Sequence, residues 1–151
     1  MDGMKELWKY PILFFLTGMC YSQLELLARG FTYLPMTFIG GAAVTLVGAL
    51  TRRHDASTLK MWQVCALGML LILDVEYISG WICNLRLHMG LWSYDGDFGN
   101  LNGQICLRNA LVWFMLVPLA VWINQALRWK LFGEPRPPAC WQYYRRLFTF
   151  R

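Results

Sequence analysis

A chain of 151 residues has room for one domain of ordinary size. Its residues AVILMFWYC make up 57%, its charged residues only 15%, and its mean hydropathy is +0.36, where soluble domains carry about 25% charged residues. These values exclude a disordered chain, a coiled coil and a disulfide-rich miniprotein, argue against a soluble enzyme, and point to a lipid surrounding despite a net charge of +5.

Crossing a bilayer takes about 20 mostly apolar residues, and four stretches are long enough. The first runs from about Leu7 to Ala28. Pro11 lies near its start, where a missing N–H costs little. The stretch lacks a small-residue cleavage site and continues through Gln23 and Glu25, so it reads as a span and not as a signal peptide. The second runs from about Phe31 to Thr51. Its small-residue face, Gly40, Gly41, Val44, Thr45, Gly48 and Ala49, admits close approach of another helix, from this chain or from a second copy. A polar loop, TRRHDASTLK, leads to the third stretch, from about Met61 to Leu85. The loop HMGLWSYDGDFGNLNG leads to the fourth, from about Gln104 to Trp129, which Pro118 is expected to kink. The tail LFGEPRPPACWQYYRRLFTFR is broken by prolines and sets aromatic anchors beside cations, as a membrane-surface segment does. The expected organisation is all-α: a four-transmembrane-helix bundle over residues 1–132 and a basic, aromatic cytoplasmic tail over 133–151.

An even number of spans puts both ends on one side. Lys5, Lys9, Arg52, Arg53, Lys60, Arg128, Lys130, Arg136, Arg145, Arg146 and Arg151 then share that side, leaving only Arg29, Arg86 and Arg108 of the 14 basic residues near the other. The positive-inside rule makes the first side cytoplasmic. The charge is therefore a topology signal, and no nucleic-acid partner is expected.

Ionisable groups at membrane depth are costly and usually serve a purpose. At about 1.5 Å rise per residue, Glu25, Arg29, Asp74, Glu76 and Arg108 fall at similar depth in the outer half. Glu76, Ser79, Gly80, Cys83 and Asn84 share one helical stripe, while Asp74 faces elsewhere. Glu25 and Arg29 stand at i and i+4, the favourable order for a pair. Arg108 is the expected partner of Glu76 or Asp74, because a guanidinium can grip a carboxylate with two hydrogen bonds. Three carboxylates against two arginines leave the layer at −1, and Asp95 and Asp97 in the outer loop add to it. A cation fits that field better than an anion. The same groups also suit structural ion pairs that pin helices together.

The segments ELLARGFTYLPMTFIGG, DVEYISGWICNL and LWSYDGDFGNLNGQICL resemble the CmpB-like family of small membrane proteins, described as type IV ABC-transporter permeases. The resemblance covers about residues 10 to 130. Its motif positions fall on Glu25, Arg29, Gly30, Gly40, Gly41, Glu76, Gly80, Asn84, Trp92, Tyr94, Asn100 and the run Gly103 to Leu107. The chain departs from the family pattern at Ser93 and Asp95, where Asp and Ser are exchanged, at Phe98 in place of a common Pro, and at Tyr33 in place of a common His. The resemblance implies transport. The chain has no G-x-x-x-x-G-K-[ST] motif, so ATP-driven transport would need a separate ATPase subunit.

His54 and His88 are too far apart in the chain to suggest a metal site, and the five cysteines lack C-x-x-C spacing. Cys83 and Cys106 lie near the outer ends of adjacent spans, as a disulfide or as packing residues. No catalytic residue, cofactor or metal ligand is assigned. The favoured reading is a transporter or permease type of protein in a bacterial inner (plasma) membrane. Its outward-facing polar site for a cation or small polar solute comprises Glu25, Arg29, Asp74, Glu76, Asn84 and Arg108, with Tyr94, Asp95 and Asn100 as its outer cap. A four-helix unit encloses little volume, so a homo-oligomer or other membrane subunits are expected. Two alternatives stand beside it: an accessory or assembly subunit whose charges are structural, and a lipid-modifying intramembrane enzyme with paired carboxylates as acid and base.

Overall fold

The computed structural model describes residues 2–53 and 59–150, with side chains from Glu6 onward and excluding that of Arg53. His54 of the short polar loop therefore lies outside the described residues, as do Arg151 and the side chains of Lys5 and Arg53.

Among the described residues five α-helices follow one another: α1 (Asp2–Arg29), α2 (Leu34–Arg53), α3 (Met61–Gly80), α4 (Leu107–Phe132) and α5 (Cys140–Phe148). Trp81–Arg86 continue α3 as a π-helical turn. Four of the helices are long and apolar enough to cross a membrane, α3 together with its π turn. The four expected stretches match these helices to within a few residues. No strand is present among the described residues, only a bridge between Leu101 and Ile105.

Glycine sets how closely α1 and α2 approach. A methyl group on Gly18 would run into the carbonyl of Thr37, and one on Gly41 into the carbonyl of Phe14. One on Gly40 would strike the Tyr21 ring. Without Cβ atoms the two backbones touch, and Ser22 and Thr37 share a hydrogen bond of 2.6 Å across the seam. The small-residue face of α2 is thus filled from within the chain by α1 and, at Gly48, by Asn124 of α4. Gly30, at φ 78°, ends α1 in the left-handed conformation that glycine adopts without strain.

The core joins Val47 of α2, Cys65 and Ile72 of α3, Val117 and Val121 of α4, and Tyr143 and Leu147 of α5. The tail segment therefore contributes to the core through α5. The outer surface is apolar, with Leu7, Trp8, Leu27, Leu70, Ile78 and Leu111 all exposed. Apolar surface on every side suits acyl chains and not water. All five cysteines are free, so Cys83 and Cys106 do not pair. Cys106 instead caps α4, its sulfur accepting from the Asn109 N–H at 3.4 Å.

At the bundle end where α1 begins, charged side chains lace the helices together. Lys9 reaches Glu6 at 2.6 Å and Glu134 at 2.9 Å. Buried Arg128 reaches Glu134 at 3.1 Å and Asn124 at 3.2 Å, and lies over the Tyr10 ring. Arg52 pairs with Glu6. Glu134 loses some solvation by burial, but Lys9 and Arg128 hold its carboxyl below its ordinary value. Lys9, Arg52 and Arg128, expected only to mark topology, thus also join α1, α2, α4 and the segment after α4.

Candidate functional site: a carboxylate cavity between α1 and α4

A cavity of about 260 Å³ opens toward the other end of the bundle. One wall is α1, with Tyr21, Leu24, Glu25 and Arg29; the other is α4, with Asn109, Val112, Trp113 and Leu116. Glu76 of α3 lies behind them, and Trp92 and Tyr94 of the loop close the top. Leu24 and Val112, on opposing walls, are both exposed, so the cleft is open sideways toward lipid.

Glu76 is the best-coordinated group in the cavity and is 7% exposed. Asn109 Nδ2 donates to Oε1 at 2.9 Å and to Oε2 at 3.0 Å. Trp113 Nε1 donates to Oε2 at 3.0 Å, and the Tyr94 hydroxyl donates to Oε1 at 3.1 Å. Each oxygen accepts from an N–H, an arrangement that fits an ionised carboxylate. Its donors are all neutral, and no Lys, Arg or His among the described residues pairs with it. Burial, and then the charge of Glu76, hold the Tyr94 phenol above its ordinary range, so it remains a donor. Tyr21 stacks on Trp113 with ring centroids 5.9 Å apart, which fixes the indole that serves Glu76.

Glu25 is equally buried but is balanced. Arg29 donates to Oε1 at 2.8 Å, as the i, i+4 spacing predicts. Thr32, just beyond the Gly30 turn, donates to Oε2 at 2.5 Å. Among the described residues the charged groups lining the cavity are therefore Glu25, Arg29 and Glu76, with a formal sum of −1.

The other expected residues lie elsewhere. Arg108 is the main correction: it is exposed, donates to Asp97 at 3.1 Å, and partners neither Glu76 nor Asp74. Neighbouring helix positions are about 100° apart, and it is Asn109 that turns inward to Glu76. Asp74 lies on the exposed outer face of α3, with no hydrogen bond among the described residues. Asn84 organises the loop: Nδ2 donates to the Trp92 carbonyl at 3.0 Å and to Gln104 at 2.9 Å, and Oδ1 accepts from the Leu91 N–H at 2.7 Å. Asp95 and Ser93 bond each other at 2.8 Å, and Asn100 accepts from the Gly103 N–H at 3.2 Å. These groups shape the loop and do not line the cavity. Trp92, a motif position of the family resemblance, does line it, its Nε1 donating to the Gln104 carbonyl at 3.0 Å.

Sequence reasoning passed over Tyr21, Asn109 and Trp113. Spacing could have found them: Tyr21 is four residues before Glu25, and Trp113 four after Asn109, so each pair shares a face. Among the described residues no group of three His, Cys, Asp or Glu side chains is placed to hold a metal ion.

Among the described residues, four membrane-length helices around an open cleft with a buried carboxylate define a multi-pass membrane protein of the small helical-bundle class. Residues 12–145 match the family described as "Putative ABC-transporter type IV", and the chain belongs to that family. Neither a curated protein nor a solved structure matches it.

Proposed function

We propose that this chain is a membrane-embedded unit of a transport system, and that the Glu76 cavity receives a cationic group of the transported solute. The observation that carries the reading is the charge imbalance. Glu25 has Arg29, whereas Glu76 has three neutral donors and no counter-charge among the described residues. A buried charge without an opposite charge is costly, and an entering cation would remove that cost. Tyr21, Trp92 and Trp113 also line the cavity, and aromatic rings are a surface type that cations favour.

In this reading Glu25, Arg29, Glu76 and Tyr94 form the site together with Tyr21, Asn109 and Trp113. Asn84, Asp95 and Asn100 hold the loop that covers it. The skew of basic residues supports an extracytoplasmic cavity and both termini in the cytoplasm, and the family description favours a bacterial inner membrane. This reading takes residues 1–132 as the membrane domain and 133–151 as a cytoplasmic tail whose α5 packs on the core. The family description is one of ABC transport, so energy would come from a separate ATPase subunit.

The testing experiment replaces Glu76 by Gln at unchanged expression. Loss of solute uptake or binding supports the site. Full retention overturns it.

Asp74 favours a second reading, an accessory subunit within a larger membrane complex. A carboxylate on the exposed face of a span is costly in lipid, and a neighbouring helix with a donor would cover it. Cross-links from position 74 to a stoichiometric partner would support that reading.

A further inference from the structure

A second cavity, of about 730 Å³, lies at the opposite end of the bundle, between α5, the first turn of α3 and the second half of α4. Its polar side is formed by Gln125, Gln142, Arg145 and Arg146, and its apolar side includes Val64 and Val121. Three observations bear on what it holds.

First, α5 is fixed in place. Tyr143 and Leu147 are buried in the core. The Tyr143 hydroxyl pairs with Gln125, and the Tyr144 hydroxyl donates to the Met115 carbonyl at 3.1 Å. That carbonyl adjoins the point where Pro118 deprives α4 of an N–H. Second, the helix is amphipathic in the manner of an interfacial segment. Its outward side carries Trp141 and Phe148, both exposed, beside exposed Arg145 and Arg146. Third, these two arginines meet no carboxylate among the described residues, whereas Arg29, Arg52, Arg108 and Arg128 all do. Arg145 lies 6.0 Å from the centre of the Trp141 ring, as Arg86 and Arg136 lie over Trp81 and Trp129. Two guanidinium forks and two amides, set at the first turn of a membrane-length helix, suit a phosphate, and the valine wall below suits an acyl chain.

We propose that this cavity is a binding site for an anionic phospholipid. The headgroup phosphate is held by Arg145 and Arg146, and the acyl chain starts along Val64 and Val121. The site is independent of the Glu76 cavity and of any transported solute.

The full chain, purified in mild detergent, would be offered equal phosphatidylglycerol and phosphatidylcholine and examined by native mass spectrometry. The expected result is preferential retention of phosphatidylglycerol. Arg145→Gln together with Arg146→Gln should reduce that preference by about tenfold or more, given the contribution of each basic side chain at an anionic surface. Excess inorganic phosphate should not displace the lipid. The proposal is overturned if the native chain shows no headgroup preference, if the double variant keeps it, or if inorganic phosphate alone competes fully, which would mark a free-anion site. Should the double variant fail to fold, the native chain decides alone. Its preference should fall as ionic strength rises, and a salt-independent preference overturns the proposal.

Discussion

Replacing Trp113 by Phe removes one N–H from Glu76 and keeps an aromatic ring beside Tyr21. The lost bond is the 3.0 Å contact to Oε2. A hydrogen bond to a charged acceptor contributes about 1.5–3 kcal/mol in proteins generally, whereas transmembrane bonds in double-mutant cycles average about 0.6 kcal/mol. Glu76 retains Asn109 on both oxygens and Tyr94 on one, which absorbs part of the loss. The expected effect of the lost bond is therefore about 1 kcal/mol. The smaller ring also leaves a void, so the single variant is not diagnostic. A cycle combining Trp113→Phe with Glu76→Gln isolates the pair. Unfolding in mixed micelles, followed by far-UV circular dichroism, should give a coupling above about 0.5 kcal/mol. Additivity within about 0.3 kcal/mol would refute the claim that the indole supports this carboxylate.

Three further outcomes follow from the packing and the second charge network. Gly41→Ala should destabilise the α1–α2 pair by about 1–3 kcal/mol through overpacking against the Phe14 carbonyl, less the roughly 1 kcal/mol that alanine gains in a helix; an unchanged melting temperature would contradict the seam. Arg128→Ala should cost about 1.5–3 kcal/mol, since it removes the charged hydrogen bond to Glu134, which keeps Lys9, and a cation buried against Asn124 and Tyr10; a near-neutral effect in the same unfolding assay would show that the network is not structural. Lys9 and Arg128 lower the Glu134 carboxyl below its ordinary value near 4.5. A depressed folded-state value means that Glu134 stabilises the fold above about pH 4.5, and that this contribution fades as pH falls below it. Glu134→Gln should flatten the acid limb of the stability profile; an unchanged limb would contradict the assignment.

How far the sequence carried these conclusions depends on which coordinate is asked of it. Position along a helix axis was legible. Hydropathy located the spans, and rise per residue placed Glu25, Arg29, Glu76 and Arg108 toward one end. Local pairing was legible too, because i, i+4 spacing joins Glu25 to Arg29 without reference to any other helix. Rotation about the axis between helices was not. Arg108 and Asn109 differ by one residue and face different surroundings, and pairing by charge favoured the arginine over the neutral amide that reaches Glu76. Charge matching also concealed the Glu6, Lys9, Arg128 and Glu134 cluster, whose members are far apart in the chain and meet only through tertiary packing. The α5 helix is too short for a hydropathy signal, and its tail was read only as a surface segment. The small-residue face of α2 left two occupants open, and the close backbone approach at Gly18 and Gly41 assigns it to α1.

The central claim is that Glu76 carries an uncompensated negative charge that a cation fills. Its most direct test is an equilibrium titration of the purified chain with a graded series of organic ammonium ions, run beside Glu76→Gln and Arg29→Gln. Saturable binding by the native chain is expected. Glu76→Gln should weaken it more than tenfold, as loss of one partner of a buried charge pair does, and Arg29→Gln should strengthen it by removing the competing cation. Equal affinity in the native and Glu76→Gln chains, or a preference for anionic solutes, would contradict the account.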